Sequence, residues 1–157
     1  MRILPAALFL SVVGACADAP PPAVDRIELR VSGWSAVDIS ASRQGKSSYH
    51  LSEPLPDGKS GTFSLSPQRF DELRKRLEPY RKTAVPFSEK SAREFILESC
   101  PKGVPFTYDT GAVWVHWVGP HSNQHFIADL GCDADKHAVR NEDLLAIVQS
   151  LPVPLNW

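Results

Sequence analysis

The chain contains no long hydrophobic run. Its one uncharged apolar stretch, Ile3 to Val13, falls short of the roughly 20 residues a helix needs to cross a hydrocarbon core. It also lacks any excess of charge. Lys and Arg total 17 against 18 Asp and Glu, a net charge of -1. That balance gives no electrostatic pull toward nucleic acid or anionic lipid. Glycine is sparse, at 9 residues, and nowhere forms a phosphate-cradling loop. The long strand–helix–strand alternation of a nucleotide-binding fold is missing too. There is no internal repeat. Cysteine is limited to three residues, an odd number that in an exported chain asks for an explanation.

What is there begins at the first residues. Arg2 places a positive charge before the Ile3–Val13 run, and Val13-Gly14-Ala15-Cys16 follows it. A short apolar core behind a basic residue reads as an export signal, which is left out of fold reasoning. The four residues that follow are an aliphatic side chain, two small ones and a thiol. In these residues the chain resembles the bacterial lipoproteins, whose signals end in such a lipobox. The resemblance covers the first sixteen or so residues. It implies cleavage between Ala15 and Cys16, and an acylated Cys16 as mature N-terminus. It also implies, since Ala17 is not the aspartate that retains lipoproteins in the inner membrane, the periplasmic face of the outer membrane. Ordinary secretion is the rival reading. Ala15-Cys16-Ala17 is also an A-x-A site, with a cut before Asp18 that would discard Cys16 and leave a soluble periplasmic or secreted protein.

Cysteine parity favours the first reading. With Cys16 lipidated, Cys100 and Cys132 remain as a pair, and two thiols in one small exported domain are expected to oxidise together. "ADAPPPAVD" then reads as a stiff tether, extended at about 3.1 Å per residue. The expected organisation is a signal over 1–15, a lipidated cysteine and proline-rich tether over 16–25, and a single globular domain over 26–157.

Within that domain the periodicity predicts α+β, a mainly antiparallel sheet of about five or six strands with two or three helices on one face. Ile27, Leu29 and Val31 alternate with polar neighbours, a half-buried strand. Two strands flank "SRQGK", with Gly45 in the turn. "TFSLS" is a short strand. "SPQRFDELRKRLEPY" is a helix with Ser66 as N-cap, Pro67 at the first position and Pro79 as its end. Phe70, Leu73 and Leu77 form its apolar stripe. A second helix is expected over "SAREFILESCP", opened by a capping box of Ser91 and Glu94. "VPFTY", "AVWVHWV" and "QHFIADL" read as strands. "NEDLLAIVQSLP" is a last helix capped by Asn141. The first half is similar in layout to small bacterial envelope domains. That likeness implies a fold type and no activity.

One hairpin offers a candidate site. With the loop at Gly119–Ser122, residue 116 faces 125 and 117 faces 124. Val113, Val115, Trp117, Phe126 and Ala128 then share an apolar face. The other face carries Trp114, His116, His125, Ile127 and Asp129, with His121 in the turn nearby. Two histidines directly opposite each other are spaced to share a metal, and catalytic zinc takes three protein ligands. The simpler reading is a polar sheet face with a stacked aromatic, since no helical ligand motif backs the metal.

Other motifs are weaker. Asp109-Thr110-Gly111 resembles the aspartic peptidase signature. That chemistry needs two carboxylates and a long flap after the motif, and Asp-x-Gly is an ordinary turn. Asp133 and Asp135, at alternate positions before His137, could hold calcium, but the loop lacks the glycine and distal glutamate of an EF-hand. Cys132 as a nucleophile is a poorer account than a disulfide. "RKRLEPYRK" reads as a solvated helix face. The expectation is therefore a membrane-tethered binding or accessory module with no cofactor, whose partners are the membrane, through its lipid, and an envelope protein, not nucleic acid. Exposed Trp34, Trp114 or Trp157 would anchor that partner. The alternatives are a metal-dependent hydrolase built on His116 and His125, an inhibitor of an envelope hydrolase, or a structural spacer.

Overall fold

The structure is a computed structural model, described here for residues 23–33, 36–52, 58–88, 94 and 100–155. Seven strands form one antiparallel sheet: β1 Arg26–Val31, β2 Val37–Ser42, β3 Lys46–Leu51, β4 Lys59–Ser64, β5 Val85–Pro86, β6 Ala112–Gly119 and β7 Ser122–Asp129. Their spatial order is β4-β3-β2-β1-β6-β7-β5. Two helices are described, α1 Pro67–Arg81 and α2 Ala138–Gln149. The class is α+β, as expected, with more strands than the five or six anticipated.

Alternation decides which face is buried. Ile27, Leu29 and Val31 of β1 point to the same side as Val37, Ile39 and Ala41 of β2 and Val113, Val115 and Trp117 of β6, and all are buried. Phe70, Leu73 and Leu77 of α1 and Leu144, Ile147 and Val148 of α2 cover that side and complete one core. Leaving these side chains in water would forfeit about 1.5–3 kcal/mol for each large one. The helices are joined on the outside: Tyr80 Oη donates to Asp143 Oδ2 at 2.7 Å, and Arg76 Nη1 donates to Ser150 Oγ at 3.2 Å. Burial, then the Asp143 bond, pushes the Tyr80 hydroxyl well above its ordinary pKa.

Local rules account for the ends that were expected. Ser66 has extended backbone, and its Oγ accepts from Arg69 N at 3.2 Å. Gly45 has φ +87 in the β2–β3 turn, a conformation that costs glycine little. Val153 is buried and Leu155 packs against the core, so the C-terminal "LPVPL" folds back. At the other end Val24 is buried and Asp25 N donates to Val118 O at 2.8 Å, so the folded part takes in two residues of the expected tether.

Four expectations need correction. Pro79 lies inside α1, which runs on to Arg81. A proline near a helix end removes only one backbone bond and need not stop the next residues. The last helix starts at Ala138 rather than after an Asn141 cap. His137 N already donates to Asp133 O, and the Asn141 side chain is spent on Leu130 O at 3.1 Å. "VPFTY" is not a strand. Only Phe106 bridges, to Cys132, before Asp109 (φ 61) and Gly111 (φ 78) turn the chain. Arg81 does not sit on the solvent face with the other basic residues: it is 6% exposed, donating to Gln124 Oε1 at 3.3 Å and Ser122 Oγ at 3.1 Å. The short strand β5 had no forecast at all. Ser91 of the capping box and, apart from Glu94, residues 91–99 of the expected second helix fall outside those described, as do Cys16, Trp34 and Trp157.

A buried histidine pair on the face away from α1 and α2

The β6–β7 register is the one the apolar pattern requires. His116 faces His125, Trp117 faces Gln124 and Val115 faces Phe126. The period-two alternation then sends Trp114, His116, His125 and Ile127 to the side away from α1 and α2. Both imidazoles are sequestered, His116 at 7% and His125 at 1% exposure. Phe87, just beyond β5, covers them. Its ring stacks on His116 at 4.3 Å and meets His125 edge-on at 5.4 Å.

Each histidine is engaged. Glu28 of β1 stands opposite His116 in the ladder, and its Oε2 lies 2.8 Å from Nδ1. Glu28 Oε1 in turn pairs with Arg26 at 2.9 Å. On its other side His116 Nε2 is 2.7 Å from Asn123 Oδ1. Trp114 Nε1 donates to His125 Nδ1 at 3.3 Å, so His125 accepts there as a neutral ring. Burial, with the neighbouring His116 imidazole as a second cause, holds the pKa of His125 below its ordinary value.

The remaining expected members of the site lie elsewhere. Asp129 is on the same strand face, but its Oδ1 accepts from Gly131 N at 2.9 Å and Cys132 N at 3.2 Å, which turns the chain after β7. His121 sits in the exposed turn and lines an open pocket of about 390 Å³ with Glu78, Arg81, Lys82, Pro86, Asn123 and Gln124. Among the described residues no three His, Cys, Asp or Glu side chains are grouped to hold a metal ion. The His116–His125 pair is brought together, and among the described residues no third ligand joins it. A metal would also have to displace Glu28 or Asn123 from His116.

Glu28 beside His116 is the carboxylate–imidazole arrangement that orients a catalytic base. Here the far nitrogen meets the Asn123 amide instead of a Ser, Thr or Cys nucleophile. The cluster ties β1, β6 and β7 together beneath Phe87. Asn123 was legible, two residues before His125 on the same strand face. Glu28 and Phe87 carry no local signal.

Two other motifs resolve simply. Asp109 is an exposed turn residue, and Thr110 Oγ1 donates to Thr107 O at 3.2 Å. Cys100 and Cys132 are joined in a disulfide with Cα atoms 5.3 Å apart. No family model and no curated protein matches the chain. What it does is therefore argued from its own residues.

Proposed function

We propose that this protein is a lipid-anchored envelope module, acylated at Cys16, that binds or assists another envelope protein and does no chemistry of its own. The observation that carries the reading is cysteine pairing. Of three cysteines, Cys100 and Cys132 are bonded to each other, which leaves Cys16 as the odd thiol. That thiol stands at the end of the signal-like run, within Val13-Gly14-Ala15-Cys16, where a lipobox places it. A disulfide suits an oxidising compartment, and the prolines after Cys16 suit a tether that holds the domain off a membrane. The histidine face favours support over catalysis, because both nitrogens of His116 and Nδ1 of His125 are committed to neighbouring side chains.

The test is acylation. Cells expressing the tagged full chain are fed an alkyne fatty acid, and the purified protein is examined by mass spectrometry. The expected result is label on Cys16, fractionation with the outer membrane, and loss of both in Cys16→Ala. An unlabelled protein cut before Asp18 would replace this reading with ordinary secretion. Crosslinking from the same envelope fractions then asks for a partner, expected in stoichiometric yield and weakened by Cys16→Ala.

A further inference from the structure

The two edges of the sheet are built differently. At one end stands β5, two residues long and ending in Pro86, which has no N–H to offer. Short length and proline are the usual devices against edge-to-edge pairing. At the other end stands β4, Lys59–Ser64, six residues paired to β3 in unbroken register from Lys46↔Ser64 to Leu51↔Lys59. It has no proline and no bulge, and its one charge, Lys59, is at its start. Among the described residues nothing pairs with its outer side. Such a strand presents a row of backbone donors and acceptors ready for another strand.

The side chains of β4 say which strand fits. Residues 59, 61 and 63 face the side of α1 and α2, and 60, 62 and 64 face the other side. A second β4 running antiparallel, with Thr62 opposite Thr62, keeps both sets on their own faces. It sets Gly61 opposite Phe63, Phe63 opposite Gly61, and Ser60 opposite Ser64. Gly61 has no side chain, and the Tyr49 ring already lies over it: a Cβ there would be 2.4 Å from Tyr49 Cζ. A Phe63 arriving opposite Gly61 would fill the space beside that ring, the cross-strand aromatic contact that stabilises sheets. The two Lys59 residues fall at opposite ends of the shared ladder. Moving the pairing by one residue mixes the two faces. Centring it on Gly61 stacks glycine on glycine and sets Phe63 against Lys59.

We propose that two copies of this chain pair through β4 in this register, joining two seven-stranded sheets into one. The pairing is independent of the lipid anchor.

Cysteine scanning on the full chain carrying Cys16→Ala tests it, because the introduced cysteine is then the single unpaired thiol. Across an antiparallel pair, opposed Cα atoms lie about 4.5–5.5 Å apart, within disulfide reach. Under mild oxidation Thr62→Cys is expected to give covalent dimer. Ser60→Cys and Ser64→Cys alone are expected to give roughly tenfold less, and a mixture of the two to recover it. Light scattering of the chain without these substitutions is expected to give a dimer mass, and Thr62→Lys a monomer with unchanged circular dichroism. A monomer mass at all concentrations overturns the pairing, as does equal crosslinking at all three positions. Crosslinking of Thr62→Cys to a different protein alone also overturns it, and assigns the edge to a partner's strand.

Discussion

The imidazole of His125 sits between Trp114, Phe87 and His116 with almost no contact with water. Its folded pKa is below the ordinary histidine value, chiefly because burial disfavours the charged ring. The unfolded chain therefore takes up a proton at His125 that the folded one refuses. Stability is complete above the unfolded value of about 6.5 and is lost as pH falls below it toward the lowered folded value. Among the described residues, the titratable groups facing the ring are His116 and, behind it, Glu28. Urea unfolding at pH 7.5 and pH 5.5 should show a lower midpoint in acid, and His125→Gln should flatten that dependence. Equal acid sensitivity in both proteins would locate the effect elsewhere. The face on which this histidine lies was legible from alternation and one turn. Its burial was not. Glu28 stands 88 residues from its partner His116, and no local pattern says that β1 rather than β2 lies beside β6.

The two ends of α1 were not equally legible. Ser66-Pro67 announces α1 because an N-cap oxygen and a missing N–H each satisfy a backbone need at that place. Ser66→Ala should cost about 1 kcal/mol in unfolding free energy, read from the shift in denaturation midpoint at constant slope. No comparable need marks the far end, so Pro79 looked like a stop and was not. Asn141 misled for a related reason. Its amide is a good cap in isolation, but Leu130 O after β7 claims it, and that contact is tertiary. The loss of "VPFTY" as a strand has a similar cause. Pro105 has no N–H, and the turn at Asp109–Gly111 redirects the chain into β6. Gly111 is indispensable there: its φ is +78, and a Cβ would lie 1.8 Å from Ser32 O. Gly111→Ala is expected to cost more than about 2 kcal/mol, through both the strained dihedral and the displaced backbone. A variant within about 0.5 kcal/mol of the parent would mean that the β1–β2 link yields instead.

Across the whole molecule the disulfide is the one covalent tie between the segment that precedes β6 and the bend that follows β7. It spans a separation of 32 residues. Closing a loop of that size removes unfolded-state freedom worth roughly 3–4 kcal/mol in the chain-entropy model. Domains of this size are stable by only about 5–15 kcal/mol in total, so the bond is a large share. Replacing both cysteines together is the informative change. Cys100→Ser alone would free the Cys132 thiol to pair with Cys16 or with another copy. The double variant Cys100→Ser, Cys132→Ser should unfold at the same urea midpoint as the reduced parent, and the oxidised parent should exceed both by that 3–4 kcal/mol. The comparison bears on where the chain can work. If the oxidised bond supplies this margin, the fold reaches full stability only where thiols oxidise, the kind of compartment in which the proposed acylation of Cys16 would take place. If the double variant instead matches the oxidised parent, the bond adds nothing to the stability of the fold, and the case for an acylated Cys16 rests on the bond's existence alone, which takes Cys100 and Cys132 out of the thiol count.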